Sequence, residues 1–477
     1  MTTMKVGTVK KSVKKAVAVS AVFAAALAGG VAANAPAVAK QGHVAKAGGI
    51  TKFGYKANVF GTKVVVNGVE LRNLKDALAV QKCTRQLRGE VVKGSALSSD
   101  NLLPIGNDLI HISPSTSKTL TYREGDRYGV RGSNVIADIK LGGTIQVGDT
   151  TVNTPVLVIQ GLESVADSWN DTKALGGKGK FGHAERFGFG GISLEIPEGD
   201  VIPPEVQDLL DIIQDNLPVA QTVNEVIDLL ETVGTLNIPG LGTLALGHTS
   251  GKATAHNAEA NAYALKVQIN NPSDGSKTIL QLGRATSKIT DGVESGVFRS
   301  TMSALDLQIG DLVQFAGVSP QNIPCNGTNG VTKTQNIGQA SVLGLVNLSG
   351  VKYSWMGKQL AGGKAAGFVQ SDIGTVEIPA ADLVIKGLTS RVDLASKGLN
   401  QKVDRKVSTK FASITLGGQQ INLAPGESKS FDGGVIRYQV VQNSDFYGTE
   451  VRALKISLFE ENVVLTLGES AGRIFFK

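Results

Sequence analysis

The sequence predicts a mainly β protein: two tandem, related antiparallel β-sandwich or barrel modules, the first with an inserted acidic helical hairpin. Three observations predict it. Short stretches alternate apolar and polar residues with the period of a strand that buries one face. Several of these stretches occur twice, in the same order. The chain holds 58 glycines in 477 residues without an every-third-residue period, which supplies turns and bulges rather than a collagen helix. An apolar share of 42% is too high for a disordered chain, and the length suffices for two or three domains with a large core.

Residues 1–39 read as an export signal. Lys5, Lys10, Lys11, Lys14 and Lys15 form a positive start, AVAVSAVFAAALA at 16–28 is a short apolar run, and Ala37-Val38-Ala39 offers a small-x-small cleavage site before Lys40. Ala33-Asn34-Ala35 also fits but leaves Pro36 just after the cut. The competing reading, an uncleaved membrane anchor, asks for about 20 apolar residues, more than this run supplies. Residues 40–50 follow as a flexible N-terminal segment. The formal charge of +7 falls to +2 without residues 1–39, so the basic balance does not point to a nucleic acid. No later segment is apolar enough to span a bilayer as a helix.

The first module is placed at 51–290 and the second at 291–477. KVVVNGVEL at 63–71 opens the first, with Asn67-Gly68 as a tight hairpin turn, and LDLQIGDLVQF at 305–315 plays the same part in the second. ADIKLGGTIQV at 137–147 matches ASITLGGQQINL at 412–423, ALKVQI at 264–269 matches ALKISL at 453–458, and ILQLGRATSKI at 279–289 matches VLTLGESAGRI at 464–474. In the second module ALKISL and VVLTLG form a hairpin across Phe459 to Asn462. The modules differ by an insertion in the first. Within it, Val206, Leu209, Leu210 and Ile213, then Val223, Val226, Ile227 and Leu230, recur at helical spacing. Pro204 and Gly234 bound them, which predicts two antiparallel helices near 199–234.

Residues 187–251 hold ten acids and no Lys or Arg. Asp208, Asp211, Asp215, Glu225, Asp228 and Glu231 are spaced as the solvated face of those helices. A contact with a basic partner, including another copy of the chain, is the competing reading. Calcium would ask for a DxDxDG loop, which is absent.

Cys83 and Cys325 are an even pair in an exported chain and allow one disulfide; two buried thiols that never meet are the alternative. They follow the two strand-rich openings and are candidates for equivalent positions. Gly468-Glu469-Ser470-Ala471-Gly472 fits the G-x-S-x-G of a nucleophile elbow. It is rejected, because no acid or His follows Ser470 and its repeat counterpart is Ala285. No metal or cofactor site is predicted. His43, His111, His183, His248 and His256 lack ligand spacing, and eight strand residues separate the closest two by roughly 26 Å. GGKGKFGHAERFGFGG, around His183 and Glu185, reads as a flexible connection. Trp169 and Trp355 are read as core residues, against the alternative of a surface Trp stacked on a sugar ring.

SNVIADIKLGG at 133–143, ATAHNAEANAYALKVQI at 253–269 and the strand at 279–289, with TKFASITLGG, ALKISL and VVLTLG in the second module, resemble the choice-of-anchor P family of exported actinobacterial proteins. The resemblance implies export and surface display through varying C-terminal anchors, with no known enzymatic activity and no functional residues to carry over. The ending SAGRIFFK, without a sorting motif or apolar tail, and the acidic insertion both depart from the anchored members. The expected function is that of a secreted or cell-surface-associated structural or adhesive protein, its partner a cell-envelope component, a glycan or another copy. An exported carbohydrate-active enzyme or other hydrolase is the first alternative and would need paired carboxylates converging in a cleft. An outer-membrane β-barrel is the second, opposed by the scarcity of aromatic residues for its girdles.

Overall fold

The computed structural model describes residues 49–66, 69–73, 77–87, 89–94, 110–147, 150–153, 156–177, 179–195, 235–238, 242–270, 277–309, 313–315, 318–342, 344–399, 401–444, 448–459 and 462–477. The export signal, His43, the helices expected at 199–234 and their face of Asp208, Asp211, Asp215, Glu225, Asp228 and Glu231 lie outside the described residues. Within them the chain is mainly strand. The helical pieces among these residues are the short turns Ala361–Gly363 and Pro379–Ala381. No helix among them is long and apolar enough to cross a membrane.

One thirteen-stranded antiparallel sheet runs the length of the fold. Its middle is the pair Val69–Asn73 and Val313–Phe315. Outward on one side lie Ile50–Val66, Lys277–Thr290, Asn257–Asn270, Gly242–Ala253 and Thr235–Ile238. Outward on the other lie Val297–Ile309, Val463–Phe475, Gly448–Leu458, Gly434–Ser444 and Ser428–Phe431. Ala79–Gln86 adds to Ile50–Val66 off this path. Two seven-stranded sheets cover the same face of this long sheet, one on each side of its middle. The first is built around Ser115–Glu124, Arg127–Leu141, Val156–Asp171 and Lys180–Gly188. The second is built around Lys333–Val342, Val346–Leu360, Lys364–Ile378, Leu383–Ser396 and Val403–Lys410. No sheet closes on itself, so the barrel half of the expectation is corrected to open, sandwich-like layers.

Alternation makes these layers, with a change of phase where a glycine interrupts it, as at Gly374. Lys364–Ile378 buries Ala365, Val369, Ile373, Val376 and Ile378 and turns Phe368, Gln370 and Asp372 outward. That is the period of a strand with one face in a core. Both cores bury large side chains: Tyr55, Ile136, Leu162, Leu265 and Leu282 are fully buried in the first, as Tyr353 and Phe298 are in the second. In the first, Ala166 meets Ala79, Ala260 and Ala285, and the buried hydroxyls of Ser168 and Ser287 lie 2.8 Å apart across the layers. In the second, Tyr353, Phe298, Leu305, Leu388 and Ile456 fill the gap.

The pairing recurs on both sides of the middle. Leu265 faces Leu282 and Lys266 faces Gln281; Leu454 faces Leu467 and Lys455 faces Thr466. Pairing is interrupted at Gly283 in one and Gly468 in the other, with φ of 62° and 60°. An added Cβ on Gly283 would come 2.4 Å from Leu162 Cδ2, and one on Gly468 would come 3.6 Å from Leu388 Cδ2. These are glycine kinks without an extra residue: the register on either side is the same, and the buried side changes parity across each, from Leu282 to Ala285 and from Leu467 to Ser470. The matches 264–269/453–458 and 279–289/464–474 therefore fall on corresponding strands.

The match of 137–147 with 412–423 does not. Residues 137–141 end Arg127–Leu141, an interior strand, and 144–147 pair with 150–153 in a separate two-stranded sheet. Residues 413–416 form a short strand between Leu383–Ser396 and Gln419–Ile421, the second arm of a hairpin turning at Gly417-Gly418. The strand that pairs there in the first sandwich is Gly191–Glu195, on Val156–Asp171. Both glycine pairs, Gly142-Gly143 and Gly417-Gly418, have positive φ, so a shared turn chemistry produced the likeness. GGKGKFGHAERFGFGG is likewise corrected: Lys180–Gly188 is a strand paired along Val156–Asp171, with Phe181 in the core. Its glycines had hidden the alternation.

Gly283→Val tests the kink. The left-handed backbone and the Leu162 contact together should cost about 2–4 kcal/mol, read as a lowered urea midpoint with an unchanged m-value.

Candidate functional site

The middle of the molecule is where separate stretches of chain are tied. Cys83 and Cys325 form a disulfide, with Cα atoms 5.4 Å apart and 242 residues between them. Ala79 lies opposite Val59, and Gln321 bridges Met302; each cysteine follows four residues later. An added Cβ on Gly54 would sit 2.9 Å from the Cys325 Cβ, so this position admits only glycine without displacement. Arg299 Nε donates to the Cys83 carbonyl at 2.6 Å, its guanidinium 3.6 Å from the Phe475 ring centre. Thr84 Oγ1 and the Arg85 amide donate to the Lys477 carbonyl at 3.0 and 3.1 Å. Lys56 Nζ donates to Asn322 Oδ1 at 2.8 Å, and burial pushes its ammonium down to about 8.

Closing a loop of this length restricts the unfolded chain strongly. The double variant Cys83→Ser/Cys325→Ser should lose about 3–5 kcal/mol of unfolding free energy, measured in denaturant under non-reducing conditions. A loss near zero would mean that the strand pairing alone carries the junction.

A charged cluster adjoins it. Glu469 is enclosed near Glu450, Asp306, Arg452, Lys82 and Tyr353. Arg452 Nε and Gln442 Nε2 both hold Glu450 Oε1, at 2.7 and 2.8 Å. Desolvation first, then the Glu450 and Asp306 carboxylates, push Glu469 up to about 7 from 4.5. The folded state holds this proton more tightly than the unfolded chain, so stability falls as pH rises from about 4.5 to about 7 and then levels. Glu469→Gln removes that dependence. It should match the wild type near pH 4 and exceed it at pH 8 by up to about 3 kcal/mol, read from denaturant midpoints at the two pH values.

Ser470 sits in the core of the second sandwich. Its Oγ lies 2.8 Å from Ser390 Oγ and donates to the Ser390 carbonyl at 3.2 Å. The strand 463–475 runs straight through it, with no strand-to-helix turn. His183 pairs with Glu185 at 2.9 Å, against Gly251 of the facing sheet. His256 pairs with Asp291 at 3.2 Å, and His248 stands 6.2 Å from the Tyr263 ring. Among the described residues no group of three His, Cys, Asp or Glu is placed to hold a metal ion.

The tryptophans part company. Trp355 packs on the second core, as expected. Trp169 does not lie in the core: it points from the outer face of the first covering sheet. The reason is strand parity. Ser168 and Asn170 point inward, so Trp169 between them points out. One transverse row reads Gly182, Trp169, Gly129, Tyr122. Each ring lies over a glycine: an added Cβ on Gly182 would be 2.8 Å from Trp169 Cε2, and one on Gly129 would be 2.3 Å from Tyr122 Cζ. Arg127 covers the indole at 5.0 Å from its centre, and Arg131 covers Tyr122 at 5.0 Å. Asp167 accepts from Tyr122 Oη at 2.8 Å and from Arg131 Nη2 at 2.6 Å.

The second sandwich carries a related group. Asp393 accepts from Arg391 Nη2 at 2.6 Å, and Arg391 stacks on Phe368 at 3.8 Å. Sequence reading missed both aspartates, although a signal was present. LVIQGLES at 157–164 and LVIKGLTS at 383–390 share six of eight residues, and each aspartate follows its segment by three residues. Gly161 and Gly387 have φ of 61° and 65°, and the segments occupy corresponding strands.

No protein-family model matches the chain, and no curated protein matches it. Among solved structures it shows a likeness to a lipopolysaccharide binding protein, 9% identical, over 89% of this chain and 99% of that one, with a TM-score of 0.12. It also shows one to the vaccine antigen transferrin binding protein B of Haemophilus parasuis, 7% identical, over 88% and 75% of the two chains, with a TM-score of 0.09. Neither score carries an argument about fold or function.

Proposed function

We propose that this is an exported structural or adhesive protein, secreted or held at the cell surface, built from two tandem related sandwich modules locked together by one disulfide. The observation that carries the reading is the Cys83–Cys325 bond between corresponding positions on either side of the middle. Such bonds persist in oxidising compartments and are rare where thiols are kept reduced. The lysine-rich start, the short apolar run and Ala37-Val38-Ala39 agree with export. The recurring register, glycine kinks and repeated octapeptides support duplication of one module. The strand patterns shared with the choice-of-anchor P family favour a surface protein. On this reading the polar side chains facing outward, rather than a cleft, are the working surface.

Cell fractionation with N-terminal sequencing tests it. The protein should appear in the medium or the wall fraction, begin at Lys40, and run faster on a non-reducing gel than after reduction. A cytoplasmic, thiol-free-running product that keeps residues before Ala35 would overturn the reading.

A further inference from the structure

We propose that the outer face around Trp169 binds a neutral oligosaccharide, with the indole as its stacking platform. The inference rests on the proposed surface role and gives it a ligand class. Burial does not explain the position: Trp169 faces away from the core, half-buried, while Ser168 and Asn170 beside it and Val130 and Phe181 on the adjoining strands fill the inner face. The glycine at Gly182 lets the ring lie flat against the strands, which presents an aromatic face rather than an edge. That face is capped by the exposed Arg127, a long side chain able to swing aside.

The surroundings favour a saccharide over other partners. A nucleic acid would ask for unpaired cations, whereas Arg131, Lys173 and Arg186 are held by Asp167, Asp126 and Glu163. A protein partner would ask for an apolar patch around the ring, and the ring is flanked by charged side chains instead. A pyranose has an apolar C–H face and an equatorial rim of hydroxyls. The first suits the indole. The second suits guanidinium donors at the edge of the ring: Arg127 is exposed, and Arg131 is partly exposed and held in place by the buried Asp167. Neutral ligands are favoured because the ion pairs leave the face with little excess charge.

The chain's two tryptophans make the test direct. Trp355→Phe leaves Trp169 as the sole indole, and its fluorescence is followed while the full exported chain is titrated with β-1,4-linked hexasaccharides of glucose and of N-acetylglucosamine. A saturable shift is expected with at least one of them. Trp169→Ala in the otherwise unaltered protein should lower the affinity, read by calorimetry, about tenfold or more, with Trp169→Phe between the two. The phenylalanine variant keeps a ring over Gly182, so it reports even if the alanine variant folds poorly. No saturable shift with either sugar, or equal affinities of wild type and Trp169→Phe, would overturn the proposal. A protein found in the wall fraction that fails this test leaves the surface role standing. A protein that binds sugar but stays in the cytoplasm removes the surface role and not the site.

Discussion

The fold depends on one short antiparallel contact. Asn73, Arg72 and Leu71 pair with Val313, Gln314 and Phe315, and through them two groups of strands become a single sheet. Three residue pairs are a weak ladder by themselves, since strand pairing is stabilised by length and by packed neighbours. The disulfide beside it converts that contact into a fixed one. It also ties Ala79–Gln86 and the segment around Gln321, each of which follows its own half of the sheet, into one knot with the Lys477 carbonyl and Arg299. The charged groups enclosed nearby, Lys56 and Glu469, are held away from their ordinary protonation ranges by the burial this junction creates.

Given that junction, each side solves the same packing problem with different side chains. The strands kink at Gly283 and at Gly468, so that Ala285 and Ser470 point to the buried side together with Leu282 and Leu467. The first sandwich combines large aliphatic and aromatic side chains, Ile136, Leu162, Leu282 and Tyr55 among them, with a local alanine cluster and a serine pair; the second packs leucine, isoleucine and tyrosine. The second serine pair, Ser390 with Ser470, sits where the first sandwich has Ser164 and Ala285, so the polar link has shifted along the same strands. A buried hydroxyl that finds a partner costs little, whereas one left alone costs a full desolvation penalty. This accounts for the facing pairs Ser168–Ser287 and Ser390–Ser470, and the G-x-S-x-G lettering at 468–472 is a kink glycine followed by a core serine.

The outer faces follow a different logic. Asp167 and Asp393 take corresponding places, yet their arginines come from different strands and cover different rings, Tyr122 and Phe368. The arrangement recurs although the residues supplying it do not, which separates it from the recurring register of the core strands. It also means that the two faces offer different chemistry: a half-buried indole on the first, an amide and carboxylate strip of Gln370 and Asp372 on the second.

The sequence by itself determined the class of fold, the strand character of the repeated stretches and the correspondence of the last two strands of each half. These rest on local alternation and on glycine kinks, which are written residue by residue. It also carried the octapeptide repeat that leads to Asp167 and Asp393, a signal weakened by the changes at Gln160/Lys386 and Glu163/Thr389. It misled at 137–147 and 412–423, because a glycine pair after alternating residues looks the same whether the chain folds back as a hairpin, as at Gly417-Gly418, or leaves the sheet, as at Gly142-Gly143. Only the tertiary structure decided which strands face one another, that Cys83 meets Cys325, and that Trp169 points outward while Trp355 points in. Those outcomes depend on register between strands far apart in the chain, and a shift of one residue reverses every side chain.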